Sequence, residues 1–250
     1  MSTATGAATG AVRRLAVPPP DDATEADRRT IDAVGLRLPV RASSALVLAT
    51  IVVLIDYTRV LNPDLLSTLG RAPEATRAMA LERAALYGLV PLAVIVLVFR
   101  DRPARYGLTL GDWRVGLPLV VAGCVLMTPV VLWFADLPEA RAYYAPSVEP
   151  LPGLVLTNTL DLTAAEFLFR GFLTLTLVRA IGPLGVLVGT LPFVFAHLGK
   201  PELELFSTLG GGLVYGWLAW RTRSIVWGSI AHVYILSLVI LAAGGWSPAG

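Results

Sequence analysis

The sequence predicts an all-α integral membrane protein, a polytopic transmembrane helical bundle of about seven spans. Three observations predict it. The composition is 55% hydrophobic and only 15% charged, with a mean hydropathy of +0.69, which is too apolar for an ordinary soluble domain. The apolar residues gather into runs long enough to cross hydrocarbon, and most charges lie in the short stretches between them. A few ionisable residues do lie within the runs: Glu166, Arg170, His197 and His232. Such groups are costly in hydrocarbon unless they meet one another or line a cavity.

Residues 1–40 carry Ala, Thr, Pro and Asp in excess, including PPPDD at 18–22, and predict a disordered N-terminal tail. Arg13-Arg14 suggests a twin-arginine export signal, but the apolar run due after it is cut by Pro18–Pro20, and a cytosolic tail is the expectation. Residues 41–250 predict one transmembrane helical domain. Its first run is Ala45–Leu61, with Asp56 and Arg59 placed to snorkel to the interface. Asn62–Glu82 is a polar or amphipathic linker, and Ala84–Phe99 is the second run. Arg100, Arg102, Arg105 and Arg114 crowd the next loop, whose YGLTLGDWRVGL at 106–117 is expected to rest among headgroups through Tyr106 and Trp113.

Val115–Ala135 is a clean third run, followed by the mixed-charge loop Asp136–Pro150. The fourth run, Leu151–Val178, carries Glu166; the fifth, Pro183–Leu198, ends at His197. Leu203–Trp220 is the sixth, and its Gly210–Gly212 reads as a packing contact between helices. The seventh, Ile225–Ala243, holds His232. Arginines concentrate in the tail and in loops 100–114 and 221–223, which alternation puts on one side, so the N-terminus is expected in the cytosol of a multi-pass plasma (inner) membrane protein. The net charge of +2 comes with no basic stripe, so no nucleic-acid partner is expected. Cys124 is the single cysteine, which excludes an intrachain disulfide and a thiolate metal cluster.

The stretch AAEFLFRGF at 164–172 places Glu166 and Arg170 four apart on one helix face, either as a structural ion pair or as part of a site. His197 and His232 fall in two further runs. Two imidazoles and a carboxylate from three helices suit either a metal centre, with His197, His232 and Glu166 holding zinc, or an acid-base site that activates water. An ordinary interfacial imidazole is the simpler reading of His197, beside Lys200; His232 lies deeper and is harder to explain by solvation. A small transporter would use the same charges, but no paired half-helices or repeats support it.

In order and spacing, Ala165-Glu166…Arg170, Phe193-x-x-x-His197 and His232-x-x-x-Leu236 resemble the CPBP family of intramembrane proteases, which includes the type II CAAX prenyl endopeptidases and the bacteriocin-processing or immunity (Abi) proteins. Its motifs are Glu-Glu-x-x-x-Arg, Phe-x-x-x-His and His-x-x-x-Asn. HLGKPELE at 197–204, GWLAWRTRSIVWGSIAH at 216–232 and YGLTLGDWR at 106–114 are similar to a bacterial branch, and the motif-bearing core covers about 150–240. The resemblance implies an intramembrane polar cavity holding a metalloprotease-like site in which Glu166, Arg170, His197 and His232 hydrolyse a peptide bond of a membrane-anchored or lipidated substrate, with zinc as a candidate cofactor. Two positions depart from the pattern: Ala165 replaces the first Glu and Leu236 the Asn. Three carboxylates are then candidates to compensate, in the order Glu166, Glu204, Asp161. A non-catalytic membrane binding, immunity or scaffold protein is the alternative.

Overall fold

The structure is a computed structural model describing residues 19–63 and 70–246. Its elements are α1 (Glu25–Arg28), the hairpin β1 (Thr30–Ala33) and β2 (Leu36–Pro39), α2 (Val40–Thr58), α3 (Pro73–Val98) and α4 (Trp113–Ala135). They continue with α5 (Pro138–Tyr144), α6 (151–181), α7 (Leu184–Phe195), α8 (Glu202–Thr222) and α9 (Val226–Ala243). Four of these, α2, α3, α4 and α9, are long and apolar enough to cross a membrane. The count of about seven spans is not reached on length and composition. Helix α6 carries Asp161, Glu166, Arg170 and Arg179, while α7 has 12 residues. At 1.5 Å per residue that is about 18 Å, against a hydrocarbon core of about 30 Å.

Helix α6 is the centre of the molecule. Residues 164–179 are all buried, so the helix is wrapped on every side, its charged Glu166, Arg170 and Arg179 included. Within it Phe167–Thr174 winds as a π-helix between α-helical Leu151–Glu166 and Leu175–Ile181. The wider turn is visible in Thr174 Oγ1, which donates to the carbonyl of Phe169 at 2.7 Å, five residues back. Helices α2 and α3 close one side of α6, α7 and α8 a second, and α9 a third, with α4 packed outside α9.

The tail expected to be disordered over 1–40 differs in its second half; residues 1–18 lie outside the described residues. Residues 25–39 form α1 and an antiparallel hairpin, because Asp27 is trapped by arginines of the bundle. Asp27 pairs with Arg41 at 3.0 Å, Arg105 at 2.8 Å and Arg179 at 3.6 Å. Asp22 reaches Arg223 at 2.9 Å. The ends of α2, α6 and α8 are thereby tied together at what we call the hairpin end. The loop after α3 also departs from expectation. Tyr106 is fully buried beneath Arg179, not among headgroups, whereas Trp113 is 49% exposed.

Candidate active site

The π-helical turn of α6 begins immediately after Glu166 and places Arg170 on the same side. Both side chains are fully enclosed, with Arg170 Nε 3.5 Å from Glu166 Oε2. The other carboxylate oxygen, Oε1, accepts a hydrogen bond from His232 Nδ1 of α9 at 3.0 Å. Helix α9 comes this close because residue 228 is glycine: a Cβ there would meet Glu166 Oε2 at 2.8 Å. The guanidinium of Arg170 lies 3.7 Å from the ring centre of Phe193, and Tyr215 stacks on His232 at 5.3 Å.

On α7, Pro192 and the short helix bring Phe193 against His197, ring centres 4.4 Å apart. His197 Nδ1 lies 2.8 Å from the Phe193 carbonyl. A carbonyl and a carboxylate only accept, so Nδ1 is the donor in both imidazoles, and each neutral ring keeps its lone pair on Nε2. Both rings line one small cavity of about 70 Å³, together with Ala165, Leu236, Asp161, Arg83 and Lys200. It abuts a vestibule of about 230 Å³ with which it shares Arg83, Asp161, Ala196, Lys200 and Leu236.

The structure therefore brings His197 and His232 together and sets Glu166 and Arg170 behind the cavity wall, in contact with His232 and Phe193. Ala165 and Leu236 present methyl groups to the cavity where a carboxylate and an amide stand in the motif. Of the carboxylates weighed for compensation, Asp161 is the one in the cavity lining, held by Arg83 at 3.2 Å. Glu204 binds Lys200 at 2.6 Å and Tyr144 at 2.5 Å and borders an adjoining recess of about 250 Å³ that shares Lys200, His232 and Leu236 with the cavity.

Sequence reasoning missed Arg83. It comes from α3 and is chelated by Asp56 and Asp161. Asp56 is buried and also accepts from the Tyr87 hydroxyl at 2.8 Å, so it faces the bundle and does not snorkel. The available signal was the presence of one acid in the first run and one base at the head of the second.

Zinc takes three or four protein ligands. Among the described residues, no three His, Cys, Asp or Glu side chains converge to hold a metal ion. One oxygen of Glu166 is committed to His232 and the other faces Arg170, and Ala165 and Leu236 add no donor. Two imidazoles remain, and this set does not fit a resident zinc.

Residues 147–237 match the model of the Rce1-like type II CAAX prenyl endopeptidases. The matched segment contains every residue of the cavity lining except Arg83 and Tyr87. No curated protein and no solved structure matches the chain.

Proposed function

We propose that this chain, which belongs to the CPBP family through its Rce1-like segment at residues 147–237, is an intramembrane endopeptidase hydrolysing a peptide bond of a membrane-anchored or lipidated substrate. One observation carries the proposal: a cavity of about 70 Å³ shared by two imidazoles whose Nδ1 protons are both committed elsewhere. A water needs about 10–15 Å³ measured this way, so water and a substrate carbonyl fit together.

In this reading His232 Nε2 takes a proton from the water as its oxygen bonds to the carbonyl carbon. Glu166 holds the ring in the required tautomer and stabilises the imidazolium that forms, so it is a positioning residue. The C–N bond then breaks and His232 returns the proton to the departing amine. Arg83 and Lys200, both in the cavity lining, supply positive charge to the oxyanion where Leu236 offers no donor. The vestibule is the route by which the substrate segment enters.

A second reading, a non-catalytic family member acting as a binding, immunity or scaffold protein, is favoured by Ala165 and Leu236. Cleavage of a lipidated peptide by the full chain in proteoliposomes, read by mass spectrometry, separates the two. The peptidase reading expects cleavage by wild type, at least about 100-fold slower with His232→Ala. Cleavage that appears only with Ala165→Glu overturns it in favour of the second. The supporting arrangement in the membrane is a plasma-membrane protein with the hairpin end in the cytosol, where Arg100, Arg102, Arg105 and Arg223 lie.

A further inference from the structure

The hairpin that precedes α2 has one apolar face. In its register Ile31 stands opposite Leu38 and Ala33 opposite Leu36, so these four side chains share a face; Asp32 stands opposite Arg37 on the other. The apolar face is only partly covered: Ala33 and Leu38 are half-buried, and the rest is open. Ile31 is 51% exposed, Leu36 62%, and Val34 at the tip is exposed completely. Val34 holds φ at 49° in a turn where Asn or Gly relieves the strain. A two-stranded hairpin whose apolar face is left partly open is at best marginally stable in water.

Its position supplies the missing cover. β2 runs through Pro39 directly into α2, so the hairpin stands where a membrane-length helix begins. At the same end Trp113 is half-exposed, with the guanidinium of Arg114 5.2 Å from its ring. Arg29, Arg37, Arg100, Arg102 and Arg114 are exposed there and, among the described residues, make no ion pair. Exposed apolar side chains flanked by uncompensated arginines match the boundary between acyl chains and anionic headgroups.

We propose that the Thr30–Pro39 hairpin inserts its apolar face and Val34 tip into the anionic leaflet around the hairpin end, as an interfacial anchor beside the first span. The inference is independent of peptidase activity. It adds a lipid-binding element outside the matched family segment.

The test uses the full chain with Cys124→Ser and Val34→Cys, labelled with an environment-sensitive fluorophore and reconstituted in phosphatidylcholine vesicles with or without phosphatidylglycerol. The expected result is blue-shifted emission quenched by lipid spin-labelled near the headgroup, and stronger quenching with phosphatidylglycerol. Arg29→Gln and Arg37→Gln should each weaken insertion about fivefold. A label at Glu25→Cys, exposed on α1, should report water. Water-like emission quenched by iodide at position 34 overturns the proposal. So does protection from iodide without quenching by lipid, which means that protein covers the tip, either a second copy or residues 1–18. Equal quenching in both lipid compositions overturns the assignment to anionic lipid.

Discussion

Glu166 and Arg170 are each at most 2% exposed, so neither can turn to water if its partner is removed. Breaking a buried pair from one side costs about 3–5 kcal/mol, whereas replacing both charges with apolar groups is often nearly neutral. Glu166→Ala is therefore expected to lower unfolding stability in detergent by that amount, and Glu166→Ala with Arg170→Met to recover most of it. Equal losses in the single and double variants would show that the stranded Arg170 charge is not what destabilises the single variant. The same carboxylate limits metal binding. Elemental analysis of purified protein is expected to find well under one zinc per chain, unchanged by His197→Ala; stoichiometric zinc lost in that variant would overturn the donor count. The two histidines, Glu166 and Arg170 were legible in the sequence because charge in an apolar run is rare. Which of them face the cavity was not, because positions 165 and 166 differ by about 100° around the helix and only packing fixes that rotation. Asp161 and Arg83 were harder still, since their proximity is a contact between α6 and α3 that no local spacing records.

At the scale of elements, the four long apolar helices were legible from run length, and α6 from the motif it carries. The ordered half of the N-terminal tail was not, because its structure is fixed by distant partners. Burial alone would raise the carboxyl of Asp27, but hydrogen bonds from Arg105, Thr24 and Arg41 outweigh it and hold the group well below the ordinary carboxylate value of 3.8. A carboxyl depressed on folding adds stability that is complete above its unfolded value and lost as pH falls toward its folded one. Acidification below about pH 4 is therefore expected to loosen the strap from Asp22 to Arg41, with thermal stability in detergent falling along that limb. Asp27→Asn should be less stable at neutral pH and fall less steeply over the same acid range. Parallel curves for the two proteins would show that Asp27 does not carry the acid sensitivity. The π-helical turn of α6 was equally hidden: FLFRGFLT reads as ordinary helix, and nothing in its spacing records that Gly171 within it packs against the Tyr106 carbonyl.

For the whole molecule, the unresolved quantity is parity, and the arrangement of helix ends argues it. Arg41 at the start of α2, Asp101 after α3 and Arg105 before α4 meet in one network with Arg179 at the end of α6. Ile225, at the start of α9, donates its N–H to the Gly107 carbonyl in the same region. Helix α9 then runs away from this end, so Trp246 lies at the opposite one. If only the four long apolar helices crossed the bilayer, the hairpin and Trp246 would share a compartment, because four is even. If α6, α7 and α8 together complete the path, the crossings are odd and the two are separated. The second is the expectation, since α6 joins the same two ends as α4. It is checked with a membrane-impermeant maleimide on Arg37→Cys and Trp246→Cys, each with Cys124→Ser. Trp246→Cys should label in intact cells and Arg37→Cys only after permeabilisation. Labelling of both under one condition would mean an even number of crossings and would overturn the odd count. The reverse pattern would keep the odd count but put the arginine-rich end outside, against the charge bias that placed it in the cytosol.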